Sequence, residues 1–215
     1  MSLQGLLVAL LLASPFAAAQ TPSPELRTEP TGGGSIFHVR NVSSQPLTAF
    51  LIELVDYPGS SYSFFEDDVT VGGIAPGTEK RIPVANMTVG AVPDYVKIQA
   101  ALYADGSSSG PDGKVAQLVQ RRRFVLQTTR ELIAHLKKAQ SSNLPTSSAI
   151  GELKQWADSL QPAAKGRISQ KSINEAAAKT LIAETAAGLE AHSLTETLGP
   201  LQASERALAA SKPAL

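Results

Sequence analysis

The chain has 215 residues, of which 43% are hydrophobic and 18% charged, and its formal net charge at pH 7 is zero. This composition is ordinary for a globular protein, and the balanced charge argues against binding to nucleic acid. The sequence contains no cysteine, which excludes disulfides, so each domain must be stable through its own core.

Residues 1–19 have the pattern of a secretory signal peptide. A short apolar core at 6–12 is followed by small residues that end in Ala17 and Ala19, and this A-x-A pattern predicts cleavage before Gln20. A retained N-terminal anchor is the alternative, but the apolar run is shorter than the roughly 20 residues that span a bilayer. We therefore expect a secreted or periplasmic protein, and the lack of cysteine favours a bacterial one.

The segment 20–34 is predicted to be a flexible spacer. Pro22 and Pro24 disfavour a helix there, and three consecutive glycines occupy 32–34. Ordered structure is expected to begin near Ser35.

Short apolar runs separated by turns predict an antiparallel β-sandwich over residues 35–112. The runs cover 36–40, 47–55, 62–65, 69–74, 80–84 and 95–104. Residues 47–55 are apolar on both faces, which predicts a strand that is covered on both sides. Pro83 cannot donate to a sheet, so its strand is expected at an edge.

Three local patterns resemble the immunoglobulin-like and fibronectin type III-like modules of exported bacterial proteins. They are the strand that ends in residues 39–44, the Ile74-Ala75-Pro76-Gly77 turn, and the alternating strand that begins at Tyr95. The cysteine pair and core tryptophan of antibody domains are absent, since Trp156 lies elsewhere. The resemblance implies a binding or spacer role.

After a glycine-rich loop at 105–113, the apolar residues recur at helical spacing. They predict a long amphipathic helix over 114–138, with a last sandwich strand at 123–127 as the alternative. Shorter helices are expected over 149–160, 172–191 and 201–210. Ser172 and Glu175 match a capping box at the start of the third helix. The predicted fold class is therefore α+β, with an immunoglobulin-like sandwich followed by a helical region over 113–215.

Charge is distributed unequally between the two halves. Residues 1–112 carry a net charge of −6 and residues 113–215 carry +6. This charge difference has two interpretations. Either the two domains simply have surfaces of different charge, or the opposite charges cause the halves to dock against each other or the basic half to bind an acidic partner. Arg121, Arg122 and Arg123 form the densest cluster and are the predicted contact residues. Because Arg122 falls within the apolar arc of its helix, we expect it to pair with a carboxylate of the sandwich.

Acidic loops are the best candidates for metal ligands. Asp67, Asp68, Asp105 and Asp112 could offer oxygen atoms to calcium, but none lies in a calcium-loop pattern, and turns or helix caps explain Asp105 and Asp112 equally well. The three histidines lack metal-ligand spacing.

No nucleophile elbow or phosphate loop occurs in the sequence. No cofactor is predicted. Glycosylation sequons at Asn41 and Asn86 are interpreted as coincidental in a bacterial protein.

The predicted function is that of a non-enzymatic binding or structural module of the cell envelope. Its partner would be a protein or a second copy, bound through an edge strand or through the helices. The alternative is an exported hydrolase or accessory factor whose site lies between the sandwich and the helices and uses Asp67, Asp68 or His38.

Overall fold

The computed structural model describes residues 21–55, 62–85, 95–160 and 169–213. The predicted leader, with Ala17, Ala19 and Gln20, and the second sequon at Asn86 lie outside these residues. Within the described part, the longest helices are too polar to cross a membrane.

Seven strands form two antiparallel sheets that pack face to face. The strands are β1 (Glu25–Thr31), β2 (Gly34–Arg40), β3 (Leu47–Leu54), β4 (Ser63–Asp67), β5 (Glu79–Ala85), β6 (Val96–Tyr103) and β7 (Ser108–Ser109). One sheet has the order β1-β2-β5 and the other has the order β4-β3-β6-β7. Strand β5 thus lies at an edge, as Pro83 predicts. A core between the sheets contains Phe37, Phe50 and Ile52.

Strand β1 corrects the prediction of a flexible spacer over 20–34. It pairs with β2 along its whole length, from Glu25 opposite Arg40 to Thr31 opposite Gly34. The strand has few apolar residues, so its stability comes from backbone pairing that β2 provides. Gly32 and Gly33 form the connecting turn. The segment before it is also held, because the Tyr103 hydroxyl donates to the Pro22 carbonyl at 2.6 Å.

Two bulges change which side chains share a face of the four-stranded sheet. Thr48 is an extra residue on β3, and Gln99 is an extra residue on β6. As a result, Leu47 joins Phe50 in the core between the sheets, whereas strict alternation predicts opposite faces. Ala100 is affected in the same way. Strict alternation predicts that it shares the inner face with Val96, but it lies on the outer face of the sheet.

The predicted strand over 69–74 is wrong. Residues Val69–Val71 form a single 3-10 turn, and only Ile74 pairs with Leu47 as an isolated bridge. Gly72 and Gly73 follow the turn with φ angles of 88° and 78°, which interrupt an extended chain.

Four helices follow the sheets: α1 (Asp112–Ser141), α2 (Thr146–Ser159), α3 (Gln170–Ala191) and α4 (Leu194–Ala209). Helix α1 is continuous, which excludes the alternative strand at 123–127. Its 30 residues span about 45 Å.

The helix starts differ from prediction at α3 and α4. Ser169 caps α3 and forms a capping box with Ser172, so the predicted box of Ser172 with Glu175 is wrong. Helix α4 begins seven residues earlier than predicted, at a box formed by Ser193 and Glu196.

Helix α1 belongs to two hydrophobic cores. Its first half packs through Leu118 on the outer face of the four-stranded sheet, against Leu51 and Leu102. Its second half packs through Leu132 and Leu136 among the other three helices. Strand β3 is therefore covered on both faces, as its sequence predicts, and α1 joins the sandwich to the helical region.

Candidate binding cleft beside strand β4

Arg122 of α1 is fully buried where the helix crosses the sheet. Its Nε and Nη2 atoms donate to the two carboxylate oxygens of Asp67, at 2.8 and 3.0 Å. Nη2 also donates to the Thr48 hydroxyl, and Nη1 donates to the Lys212 carbonyl. The pairing expected of Arg122 from its sequence position thus has a defined geometry, which fixes α1 and the C-terminal segment relative to β4.

A cleft of about 740 Å³ lies beside β4, between the sandwich and the helices. Strand β4 and the following 3-10 turn form one wall, α1 forms part of the lining, and α3 with α4 forms the other wall. On the helical side, apolar residues alternate with polar ones, and the apolar residues are Val125, Ile173, Ala176, Ala177, Leu181 and Leu208. The volume is within the range of about 300–1,000 Å³ that is typical of ligand sites.

Among the strands that the structure describes, β4 has one backbone edge without a partner. Within the described residues, β4 pairs only with β3. Leu54 donates to the Tyr62 carbonyl and Asp68 donates to the Thr48 carbonyl, so the even-numbered residues of this segment bond to β3. The N–H and C=O groups of Ser63, Phe65 and Asp67 consequently point away from β3, along the edge that borders the cleft.

Arg121 lines the same cleft. Its guanidinium carbon lies 5.8 Å from the centre of the Phe65 ring, in a cation–π contact. Burial lowers the pKa of Arg121, although the nearby charges of Asp67 and Glu66 oppose that effect. Arg123, the third member of the predicted cluster, is exposed on another side of α1.

The acidic residues proposed as metal ligands have other partners. Asp67 binds Arg122, and Asp68 shares the Lys80 ammonium group with Glu66, at distances of 2.6–2.8 Å. Although burial favours the neutral amine, these hydrogen bonds raise the pKa of Lys80. In the parts of the chain that the structure describes, no three potential ligand side chains converge on a metal position.

The other two acidic candidates serve local structure. Asp105 accepts hydrogen bonds from the backbone and hydroxyl of Ser107, which close a turn and lower the pKa of Asp105. Asp112 occupies the first turn of α1, where a negative charge is favourable.

His38 lies on β2, facing away from the core between the sheets, and it does not line the cleft. Its Nδ1 lies 2.7 Å from Glu79 and its Nε2 lies 2.9 Å from Glu29, so the ring connects β5 to β1. The hydrogen bond with His38 is the largest cause of the lowered pKa of Glu79.

Asn41, in the first sequon, is buried, and its side-chain amide donates to the carbonyls of Gln45 and Ile74.

Sequence reasoning missed Phe65 and Thr48 as members of this region. The sequence predicts that Phe65 lies in a short strand next to acidic residues. The residues around Phe65 do not indicate its contact with Arg121, which is 56 positions away in the sequence. Thr48 reads as an ordinary strand residue, and only the bulge turns its hydroxyl toward Arg122.

Comparison with models of known protein families, with curated proteins and with solved structures gives no match to this chain.

Proposed function

We propose that this protein is an exported, non-enzymatic binding module that captures an extended segment of a partner protein on the edge of β4. The observation that carries the proposal is that β4 has an unpaired edge among the described residues, and that this edge borders a cleft whose far wall presents apolar side chains of α3 and α4. Addition of a strand to a sheet edge supplies main-chain hydrogen bonds, while the wall contacts alternate side chains and gives specificity.

The other long edges of the sandwich are less suited to this role. Strand β1 contains Pro30 and strand β5 contains Pro83, and each proline removes a potential backbone donor. Proline at an edge is a common means of preventing unwanted strand pairing. Strand β4, Ser63–Asp67, contains no proline.

The strand order supports the narrower proposal that the sandwich is immunoglobulin-like. The chain places β1 and β2 in one sheet and β3 and β4 in the other. It then returns to the first sheet with β5 and ends with β6 and β7 in the second. This alternation between sheets is that of Greek-key sandwiches.

Two features of the sequence support the location that the proposal gives. The leader-like pattern of 1–19 supports export, and the lack of cysteine supports a bacterial envelope location.

The test is selection of short random peptides displayed on phage against the folded chain, followed by affinity measurements on the enriched peptide as a synthetic probe. Ser63→Pro removes an outward N–H at the first residue of the strand, where proline is tolerated. Ser63→Ala is the matched control, because it loses the hydroxyl bond to Glu53 but keeps the N–H.

We expect Ser63→Pro to weaken binding by about tenfold or more, since a hydrogen bond and the close approach of the strand are both lost. Ser63→Ala should bind as the wild type does. Absence of any enriched peptide, or equal binding by Ser63→Pro, would overturn the proposal. Thermal melting of both variants verifies that they are folded.

A further inference from the structure

The guanidinium of Arg121 faces the cleft without an acceptor. Within the described residues, the structure gives it the contact with Phe65 but no hydrogen bond and no ion pair. The nearest carboxylates are already bound elsewhere, Asp67 by Arg122 and Glu66 by Lys80. Arg121 is therefore a half-buried cation whose donors have no protein acceptor among the described residues.

Such an arrangement favours a particular ligand chemistry. A guanidinium has five N–H donors in a planar fork that matches the two oxygens of a carboxylate. Partial removal from water makes unpaired donors costly and makes a charge-assisted hydrogen bond stronger than it is at an open surface. The other charged residues that line the described cleft are Glu66, Asp67 and Glu184, all acidic, so a ligand carboxylate is favoured at Arg121 and disfavoured elsewhere along the wall.

We propose that Arg121 determines the specificity of the cleft by binding an acidic side chain of the captured segment. This inference rests on the proposed function. Alternate side chains of a strand added to β4 would point to the side of the sheet that α1 covers, as Phe65 and Asp67 do. The residue that meets Arg121 would be Asp or Glu, and residues two positions away would face the apolar groups of Val125 and Leu181.

The experiment compares peptides selected on the wild-type chain with those selected on Arg121→Gln. Arg123→Gln is the matched control, because it removes the same charge from an exposed position on the same helix. The strongest wild-type peptide is then synthesised in two forms, one with the acidic residue and one with the corresponding amide.

We expect wild-type selection to enrich Asp or Glu at one position, and the amide form to bind about tenfold more weakly, as the loss of a charge-assisted hydrogen bond requires. On Arg121→Gln the two forms should bind equally, and on Arg123→Gln the acidic form should keep its advantage. Should Arg121→Gln fail to fold, Arg121→Lys takes its place, and the advantage of the acidic form should shrink there because an ammonium group cannot form the bidentate pair.

The two proposals fail in different ways. Peptides that bind in a Ser63-dependent manner without an acidic preference would overturn the role of Arg121 and leave the capture of a strand intact. The same holds for an acidic preference that persists unchanged on Arg121→Gln. Absence of any Ser63-dependent peptide would overturn both.

Discussion

Arg122 of α1 and Asp67 of β4 form a buried bidentate ion pair, with N–O distances of 2.8 and 3.0 Å. Asp67 has a side chain that is 13% exposed, whereas that of Arg122 is not exposed at all. The pair joins the first long helix to an edge strand of the sandwich, and it fixes one end of the cleft. Because Asp67 lies on β4 itself, the geometry of the proposed binding edge depends on this contact.

Replacement of Arg122 by methionine should destabilise the protein strongly. The change leaves the Asp67 carboxylate buried without its partner, and loss of one member of a buried pair costs about 3–5 kcal/mol. The free energy of unfolding in urea measures the effect. Arg123→Met is the control and should change stability by less than about 0.5 kcal/mol, because Arg123 is exposed.

The double variant Arg122→Met, Asp67→Leu distinguishes the cost of an unpaired buried charge from the contribution of the ion pair itself. It leaves no unpaired buried charge, so it should recover part of the stability that Arg122→Met loses. Wild-type stability in Arg122→Met would contradict the structural role of the pair.

Gly110 should resist substitution by alanine. It joins β7 to α1 with a φ of +101°, and a Cβ atom there would collide with the backbone of Gln99 and Ala100. Gly110→Ala should therefore lower the stability by more than about 1 kcal/mol. Gly113→Ala, three residues later, meets no neighbouring atom and should stabilise α1 by up to about 1 kcal/mol. Thermal unfolding of the two variants gives the comparison, and equal melting temperatures would contradict it.

Glu79 should contribute to stability in a pH-dependent way. Its hydrogen bond with His38 lowers the folded-state pKa of Glu79 below the ordinary value of 4.5. A lowered carboxyl pKa stabilises the fold above the unfolded-state pKa, and that contribution is lost as the pH falls through the folded-state pKa. Glu79→Gln should be less stable than wild type above pH 4.5, and the difference should shrink on further acidification.

Unfolding free energies measured across this pH range provide the test. Glu25→Gln serves as the control, since Glu25 is an exposed carboxylate on the neighbouring β1. A difference between Glu79→Gln and wild type that stays constant from neutral to acidic pH would contradict the role given to the hydrogen bond with His38.

Much of the fold follows from patterns that the sequence displays locally. The apolar residues of β3 on both faces correctly predicted a strand covered on two sides, and helical spacing predicted the long helix α1. The position of Arg122 within an apolar arc implied a buried cation that needs a carboxylate. These features are local because strand and helix periods are set by the backbone geometry of the element itself.

Other features depend on partners that are distant in sequence. Strand β1 carries little hydrophobic signal, because pairing with β2 supplies its stability. The bulges at Thr48 and Gln99 arise from the register between two strands and cannot be read from either alone. The cleft forms because α3 lies opposite β4, although β4 precedes α3 by more than 100 residues in the sequence. Residue spacing within either element does not predict this long-range arrangement.

The central claim, that an extended partner segment adds to β4, is tested most directly by amide hydrogen exchange in the presence of the selected peptide. We predict that the N–H groups of Ser63 and Phe65, which point away from β3, become protected when the peptide binds. The N–H groups of Phe64 and Glu66 already bond to β3 and provide an internal reference. Unchanged exchange at Ser63 and Phe65 while the peptide is bound would contradict the account.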